Sequence, residues 1–343
     1  MRAAFFKEKH KIEVWETGVP EIGPDDILVR VMAAGICGTD MHIYDGEEGA
    51  AAVTPPVILG HECAGVVEKT GSNVTELKAG DRVALDPNEM CGECIPCKTG
   101  AGHYCQAMTG YGTTANGGFA EFLRIPAKQA YLLADSVSFD EGCFGEPVSC
   151  CLHGIDLCGV RTGDTVLVIG GGAIGQIMLQ LARLAGAAVT VLSEPVEEKR
   201  ERALALGATY AFDPRETDLK AVLASRNLDP DVVIECVGRA ETMADAVRMA
   251  KYKATVMWFG LTAPDAVVPV KPFEIFKKEL TIRASYINPY TMERSVKLIN
   301  SGRLRLKEII SKTITLEELD ATLSDRRSFA AGKVIVHPQR EKC

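Results

Sequence analysis

Four cysteines lie within fifteen residues of one another, and their spacing is typical of a metal site. Four thiolates this close can surround one Zn(II) ion as a tetrahedron and leave no position for water, so the site stabilises a loop and performs no chemistry. The alternatives are four unliganded cysteines, a redox dithiol that needs only one pair, and a zinc ribbon that binds nucleic acid. We predict a structural zinc site over residues 91–105, with the ligands Cys91, Cys94, Cys97 and Cys105.

A glycine-rich turn, GGGAIG at residues 170–175, follows the hydrophobic segment Thr165–Ile169 and opens a helical pattern. Glycines at such a turn let the backbone approach a pyrophosphate, and the free N–H groups and dipole of a helix N-terminus favour anions. The alternative is a turn that only packs a strand against a helix. The sequence predicts a dinucleotide site whose phosphates contact Gly170, Gly172, Ala173, Ile174 and Gly175.

Glu194 ends the following strand, about twenty residues after the turn, where an acidic residue can accept hydrogen bonds from an adenosine ribose. A 2′-phosphate would meet the negative charge of Glu194, so this residue favours NAD over NADP. Lys199 and Arg200 lie close by in the sequence and weaken that preference. We predict NAD as the cofactor, and we include Lys199 with Glu194 among the cofactor-binding residues.

Cys37, His61 and the carboxylates Glu62 and Glu146 have the ligand types of a catalytic zinc site, which keeps one position for water or substrate. Spacing alone does not bring these residues together. An isolated cysteine or histidine in an apolar segment more often belongs to a core. The residue types are therefore consistent both with a second metal site and with separate core positions.

The segments around these residues predict two kinds of domain. Short strands such as Ile27–Val31 and Gly65–Glu68 fill roughly the first 130 residues and indicate a barrel-like β domain. From about Arg161, strands and helices alternate, which is typical of a parallel sheet covered by helices. Its predicted strands are Thr165–Ile169, Ala188–Leu192, Tyr210–Phe212, Asp231–Glu235 and Ala254–Phe259, and its predicted helices are Gly175–Gly186, Val196–Gly207 and Glu241–Met249.

The tail adds predicted helices at Tyr290–Ser301 and Leu316–Leu323 and a strand at Lys333–Val336. We expect this tail to return to the first domain, because its pattern no longer alternates like that of the parallel sheet. The expected boundaries are 1–152 for the β domain, 153–284 for the α/β domain and 285–343 for the return.

Composition limits the classes of function. With 343 residues, 47% of them hydrophobic, the chain suits two soluble domains, and a net charge of −8 argues against a nucleic-acid partner. Glycines and glutamines interrupt the longest uncharged stretch, Thr165–Ala182, which argues against a membrane span. Twelve cysteines, four of them clustered, suit a reducing compartment, so we expect a cytoplasmic protein.

In this order and separation, the three patterns resemble the zinc-containing medium-chain alcohol dehydrogenases over nearly the whole chain. Residues 37–44, CGTDMHIY, and Glu146-Pro147 look most like the polyol (sorbitol-type) and threonine dehydrogenase branch. The resemblance implies a Rossmann doubly wound nucleotide domain plus a GroES-like β-barrel catalytic domain, with two zinc ions per chain. Further matching motifs are Gly60-His61-Glu62, Gly80-Asp81-Arg82-Val83, Gly117-Gly118-Phe119-Ala120-Glu121 and Gly332-Lys333-Val334.

The resemblance also implies which residues hold the catalytic zinc. Cys37, His61 and Glu146 would surround the ion, with Glu62 as a close neighbour that can bind directly. In the polyol branch, the residue matching Glu62 often serves as the ligand, while the residue matching Glu146 contacts the metal through water. The resemblance therefore leaves open which of the two carboxylates binds.

The resemblance implies a reaction as well. Thr39 and His42 match the positions of a proton relay, and Asp40 matches a structural position behind a ligand. A hydride would pass from a secondary alcohol to NAD. The family commonly forms dimers or tetramers, so we expect a homodimer or homotetramer that binds a small-molecule alcohol.

The resemblance is weakest at the substrate. Ile43 and Ser285 stand where sorbitol-type enzymes have an aromatic residue and an arginine. We therefore expect a polyol or sugar-derived secondary alcohol other than sorbitol itself. The alternatives are a threonine 3-dehydrogenase or 2,3-butanediol-type dehydrogenase and, outside enzymes, a catalytically idle member kept for binding or structure.

Overall fold

The computed structural model describes residues 1–47, 52–329 and 331–339 of the chain. The chain divides into two compact units. The first comprises Met1–Ser149 together with Asn288–Cys343, and the second comprises Cys150–Ile287. These divisions fall three residues from the expected boundaries after residues 152 and 284.

The strands of the described residues, in chain order, are β1 (Arg2–Glu8), β2 (Lys11–Glu16), β3 (Asp26–Gly35), β4 (Val57–Ile58), β5 (Glu62–Thr70), β6 (Arg82–Leu85), β7 (Asn88–Glu89), β8 (Thr109–Gly110), β9 (Phe122–Pro126), β10 (Ala130–Leu132), β11 (Thr165–Ile169), β12 (Val189–Ser193), β13 (Tyr210–Phe212), β14 (Val232–Glu235), β15 (Thr255–Trp258), β16 (Thr281–Ala284), β17 (Ile310–Ile314) and β18 (Lys333–Val336).

The α-helices of the described residues are α1 (Gly38–Tyr44), α2 (Ile95–Lys98), α3 (Phe139–Gly142), α4 (Gly145–Cys158), α5 (Ala173–Leu184), α6 (Glu197–Ala205), α7 (Leu219–Ser225), α8 (Ala240–Met249), α9 (Pro272–Lys278), α10 (Met292–Asn300) and α11 (Leu319–Ser324). Short 3₁₀ turns occur at Gly102–Tyr104, Ala127–Gln129, Lys307–Ile309 and Arg326–Phe329. In the part of the chain that the structure describes, no helix combines the length and the apolar character needed to span a bilayer.

The first unit is built around strand β3. This strand pairs antiparallel with β5, β9 and β18 within a seven-stranded sheet, and nearly all of its apolar side chains are buried. A three-stranded sheet, in the order β2-β1-β4, contributes to the same core, which also contains the large buried side chains of Phe119 and Leu59. Strand β18 pairs with β3, so this segment of the tail belongs to the same sheet as strands from the first 130 residues.

The second unit is a six-stranded parallel sheet in the order β13-β12-β11-β14-β15-β16. This is the Rossmann order 3-2-1-4-5-6, in which a ligand binds at the carboxyl edge beside the first strand. Strand β11 is buried along its whole length and reads as a continuous apolar run, which is typical of a central parallel strand. Helices α5, α6 and α8 pack against these strands.

The predicted elements differ from the structure mainly at their ends. Strands β11, β13 and β18 have the predicted bounds, whereas helix α5 begins at Ala173 rather than Gly175 because Gly172 already serves as its N-cap. Helix α11 begins at Leu319 rather than Leu316, since the Glu318 carboxylate accepts the Thr315 N–H at 2.9 Å and holds the preceding residues in a turn.

Several elements have no counterpart in the prediction. The sequence pattern gave no sign of helices α4, α7 and α9 or of strand β16. Strand β16 is the edge of the parallel sheet and is largely exposed, so it lacks the apolar run that identifies the central strands. Helix α9 buries none of its residues fully, and its periodicity is correspondingly weak.

Candidate metal and nucleotide sites

The four cysteines of the 91–105 loop lie together in the structure. Their sulfur atoms are all within 4.8 Å of one another. Cys91 Sγ is 3.9 Å from Cys97 Sγ, and Cys94 Sγ is 3.4 Å from it. Sulfurs bound at about 2.3 Å to one tetrahedral ion are about 3.8 Å apart, so the cluster fits Zn(II) closely. Gly92, with a φ of 75°, allows the chain to turn between the first two ligands.

Backbone N–H groups point at these sulfurs. The N–H groups of Glu93 and Cys94 both donate to Cys91 Sγ at 3.4 Å, and the Cys91 N–H donates to Cys105 Sγ at the same distance. These backbone hydrogen bonds lower the pKa of Cys91 to about 6, whereas desolvation raises the pKa of Cys97 to about 12. The loop thus supplies a thiolate near neutral pH, and a metal ion would draw off the remaining protons.

The base of the loop is attached to the start of the returning chain. Asn288 Nδ2 donates to Asp86 Oδ1 at 3.2 Å, and Asn88 Nδ2 donates to Asn288 Oδ1 at 2.7 Å. Burial raises the pKa of the Asp86 carboxyl to about 6. Tyr290 Oη donates to the Cys97 carbonyl oxygen at 3.4 Å. Sequence reasoning missed these contacts, because nothing in the spacing relates residue 86 to residue 288.

The second group of side chains that could ligate a metal is mostly buried, with Cys37 half-buried and the other two members buried. A sulfur of Cys37, a ring nitrogen of His61 and a carboxylate oxygen of Glu62 lie within 4.8 Å of one another. Cys37 follows β3 as the N-cap of helix α1, while His61 and Glu62 stand where β5 begins. The sheet brings them together, because Gly35 at the end of β3 pairs directly with Glu62.

Asp40 supports two of these ligands. Its Oδ2 accepts the backbone N–H of Cys37 at 2.8 Å, and its Oδ1 lies 3.5 Å from His61 Nδ1. Asp40 is completely buried. Burial lowers the pKa of His61, but the neighbouring Asp40 and Cys37 outweigh burial and raise this pKa well above its usual value. An outer carboxylate of this kind orients a metal-binding imidazole, in keeping with the structural position expected of Asp40.

The donor atoms of this group fit a zinc ion by their chemistry. Within the described residues, His61 Nδ1 and Glu62 Oε2 are buried without a partner in hydrogen-bond geometry, but Asp40 and Lys333 face them at ion-pair distance. A sulfur, a nitrogen and an oxygen donor make three protein ligands, which is the number that leaves a zinc ion one open position.

A buried lysine also belongs to this group, and sequence reasoning missed its role. Lys333, at the start of β18, is 6% exposed and forms an ion pair with Glu62 Oε2. Burial lowers the pKa of Lys333, but the neighbouring Glu62 and Cys37 outweigh it, and the net effect raises this pKa. The available signal was a lysine that opens a fully buried strand, because a buried lysine requires a partner.

The remaining predicted residues of the catalytic group lie on nearby helices. Thr39 and His42 are three residues apart on α1, and both are half-buried. His42 Nδ1 is hydrogen-bonded to Glu47 Oε2. Glu146 is buried at the start of α4 and, among the described residues, is not part of the Cys37–His61–Glu62 cluster. Its role as a ligand therefore stays a prediction.

The glycine-rich turn has the geometry that its sequence predicts. Gly170, which directly follows β11, has a φ of 98°, a conformation that favours glycine. Gly172 is the N-cap of helix α5, whose first residues Ala173 and Ile174 leave their N–H groups at the turn. A side chain on Gly175 would overlap the carbonyl oxygen of Gly170, so only glycine allows this close approach.

Glu194 lies beside this turn. Its Oε2 accepts the Gly171 N–H at 2.7 Å, and its Oε1 accepts the Val196 N–H at 2.9 Å. Each oxygen retains a further acceptor site. Arg200 Nη1 donates to the Glu194 carbonyl oxygen at 2.9 Å, and the carbonyl oxygen of Lys199 accepts from Gln176 Nε2 at 2.9 Å. The turn and Glu194 therefore form one rigid group at the carboxyl edge of the sheet.

Comparison with known proteins agrees with this arrangement. The model of the alcohol dehydrogenase GroES-like domain matches residues 23–135, and that of the zinc-binding dehydrogenases matches residues 173–301. D-arabinitol dehydrogenase 1 of Uromyces fabae is 30% identical, over 98% of this chain and 97% of that protein. L-threonine 3-dehydrogenase of Streptomyces avermitilis is 32% identical, over 97% of this chain and 98% of that protein.

A Sinorhizobium meliloti 1021 protein, solved with bound NADP, is 40% identical with a TM-score of 0.94, over 98% of this chain and 99% of that chain. The predicted combination of a Rossmann domain and a GroES-like domain is thus confirmed. The resemblance drawn from the sequence motifs is confirmed as well, and the chain belongs to the zinc-containing alcohol dehydrogenase family.

Proposed function

We propose that this protein is a zinc-dependent dehydrogenase that transfers a hydride between a secondary alcohol of a polyol or sugar-derived substrate and NAD. The observation that carries the proposal is the buried cluster of Cys37, His61 and Glu62, supported from behind by Asp40. A merely structural relative would have no use for a thiol, an imidazole and a carboxylate that converge at one mostly buried place.

The residues of the first unit would have separate tasks. We propose Cys37, His61 and Glu62 as the ligands of the catalytic zinc, with Glu146 as the alternative to Glu62. Zn(II) supplies a Lewis acid that lowers the pKa of an alcohol, and NAD accepts the hydride. Because Asp40 holds both the N–H of Cys37 and the ring of His61, it keeps two ligands in one orientation.

Thr39 and His42 would move the proton released by the alcohol. They lie three residues apart on α1 and therefore share a face of the helix. His42 is half-exposed and bonded to Glu47, so it can pass a proton from the interior towards solvent. Histidine suits this task because its usual pKa lies near neutrality.

The second unit would hold NAD at residues 170–175, with Glu194 at the adenosine ribose. We propose NAD rather than NADP because a 2′-phosphate would approach the Glu194 carboxylate, although a relative of this fold binds NADP. Glu194→Ala should raise the Kd of NAD more than that of NADP, by about tenfold in relative terms. Isothermal titration with both cofactors tests this, with exposed Glu198→Ala as the control; an unchanged ratio removes the role of Glu194.

The substrate class rests on the relatives. One of them is a D-arabinitol dehydrogenase, which acts on a polyol. A second candidate is threonine 3-dehydrogenase activity, which the 32% identical Streptomyces relative favours. A screen of polyols, sugars, threonine and 2,3-diols with NAD and NADP separates the candidates. Exclusive oxidation of threonine would overturn the polyol proposal.

Metal analysis of the same preparation tests the zinc sites. We propose two zinc ions per chain, one at Cys37–His61–Glu62 and one at the 91–105 loop, so elemental analysis should give a zinc content of about two per chain. A content of one, together with no turnover on any alcohol, would instead favour a catalytically idle member. Thiolate ligands persist in a reducing compartment, so we propose a cytoplasmic location.

We also propose that the chain forms a homodimer or homotetramer. The edge strand β16 exposes one row of backbone groups, and Phe273 and Phe276 on α9 of the same unit are more than two-thirds exposed. An exposed strand edge with apolar side chains is a surface that proteins usually cover. Light scattering coupled to size-exclusion chromatography measures the mass in solution, and a monomer would contradict this proposal.

A further inference from the structure

Lys333 is a buried cation placed against a proposed metal ligand, and the reaction outlined above gives it no task. Its side chain is 7% exposed, and that of its partner Glu62 is 1% exposed. Burying a charge is costly unless it is paired, and a lysine is rarely buried without a function or a strong partner. Its position beside a site for a divalent cation makes the arrangement more unusual still.

The sheet produces this contact through one glycine. Strands β18 and β5 both pair with β3, where Gly35 is opposite Ile335 on one side and Glu62 on the other. A side chain on Gly35 would overlap both Glu62 Oε2 and the Lys333 Cε atom. Lys333 and Glu62 therefore meet over the backbone of Gly35, in the space that any other residue would fill.

Two positive charges, the Lys333 ammonium and a bound metal ion, would compete for the Glu62 carboxylate. The Glu62 carboxylate belongs to the cluster with Cys37 and His61, and its Oε2 also faces the Lys333 ammonium. A metal ion and an ammonium group then attract the same carboxylate. They also repel each other, and in the interior of a protein such interactions are screened far less than at the surface.

We propose that Lys333 is a positioning residue that competes with the metal for Glu62. Lys333 keeps Glu62 as a weak, exchangeable ligand and lowers the zinc affinity of the buried site, so that Glu62 can give way when a substrate oxygen binds. This inference rests on the proposed function, because it requires zinc at Cys37 and His61. It adds a role for a residue that touches neither the alcohol nor the cofactor.

Lys333→Met tests the proposal, since methionine keeps the length of the side chain and removes its charge. We expect the zinc affinity of the buried site to rise by about tenfold, in competition with a chromophoric chelator on the full chain. Turnover should fall at the same time, because a tightly bound Glu62 exchanges less readily with the oxygen of the substrate. Lys312→Met, on exposed β17, is the matched control and should change neither quantity.

Two further variants separate the role of Glu62 from a general effect of charge. The zinc affinity of Glu62→Gln/Lys333→Met is compared with that of Glu62→Gln, and the affinity of Lys333→Met with that of wild type. The first gain should be smaller than the second, because both variants of the first pair lack the Glu62 carboxylate that Lys333 would otherwise hold. Lys333→Arg retains the charge and should show no gain. If Lys333→Met does not fold, Lys333→Arg still tests the proposal, since a tighter zinc site in that variant contradicts it.

The outcomes are distinct. If Lys333→Met binds zinc no more tightly than wild type, while its thermal stability falls equally with and without zinc, Lys333 is only structural and the proposal is overturned. If Cys37→Ser contains as much zinc as wild type, the buried site holds no metal and the proposed function itself fails. The second result is independent of the first.

Discussion

The two cysteine-containing candidate metal sites are built in opposite ways. The 91–105 loop takes all its ligands from one short segment, places Cys91 at the surface, and stabilises its sulfurs with backbone N–H groups. The Cys37–His61–Glu62 cluster takes its side chains from two distant segments, one after β3 and one at the start of β5, is mostly buried, and contacts the side chains of Asp40 and Lys333.

This difference predicts that the loop contributes to the stability of the fold and that the Cys37–His61–Glu62 cluster contributes to catalysis. A loop with four sulfur ligands has no position for a substrate, and its backbone partners cannot be changed by substituting a side chain. The buried cluster has three ligands of mixed type, and charged side chains set its properties. The first site should therefore respond to substitution in stability, and the second in activity and metal affinity.

The largest expected effect is that of Cys37→Ser. Loss of a thiolate ligand should remove the buried zinc and lower kcat/KM by roughly 10³-fold, because a catalytic metal contributes several kcal/mol to the transition state. The loop zinc should remain, so the zinc content should fall by half and the circular dichroism spectrum should stay unchanged. Full activity, or loss of both ions, would break the contrast between the two sites.

Cys105→Ser should have the next largest effect, on stability. Without its buried ligand, the loop should release its zinc, and the thermal midpoint should fall by roughly 5–10 °C. Differential scanning calorimetry with parallel zinc analysis measures both changes. Cys158→Ser, which alters a buried cysteine outside the two clusters, should leave the zinc content intact. The contrast fails if Cys105→Ser keeps both ions.

Asp40→Asn should have a smaller effect, confined to the buried site. The amide still accepts the Cys37 N–H but loses the charge beside His61, so the zinc affinity of this site should fall by about 10–100-fold. Chelator competition measures the two zinc affinities separately. An equal loss at the loop site would show that the sites are coupled.

Asp86→Asn should have the smallest effect, and a pH-dependent one. Burial raises the pKa of Asp86 in the folded chain to about 6, above its value in the unfolded chain, so its contribution to stability is present in acid and is lost as the pH rises through 6. The asparagine stays neutral. The variant should therefore equal wild type near pH 4 and exceed its unfolding free energy by about 1–3 kcal/mol at pH 8.

Denaturant unfolding at several pH values tests the Asp86 prediction, with exposed Asp135→Asn as the control. A gain that is the same at every pH would assign the effect to packing at the base of the loop rather than to ionisation. Either result measures how much the hydrogen bonds between Asp86 and Asn288 contribute to the stability of the folded chain.

The difference between a local loop and a cluster of distant residues also explains which of the two candidate sites the sequence alone could predict. The loop ligands follow from spacing, because four cysteines in one segment have little freedom to lie apart. Strand β11 and the glycine-rich turn follow from a continuous apolar run and from glycines at a strand–helix junction. In each case, the information lies within about twenty residues of the sequence.

The buried cluster could not be derived from the residues alone. Cys37 and His61 meet because Gly35 pairs with Glu62, and a register between two strands is a property of the folded sheet. Only the resemblance to a family suggested that these residues converge. The partner of Lys333 was missed for the same reason, since residues 62 and 333 meet through a third strand.

Strand β18 has a consequence for the order in which the molecule is made. Cys37, His61 and Glu62 leave the ribosome long before Lys333, which follows them in the sequence by most of the length of both units. Until β18 inserts beside β3, the nascent domain carries three metal donors without the cation that balances Glu62. A chain cut short before β18 therefore lacks both a core strand and the buried cation that pairs with Glu62.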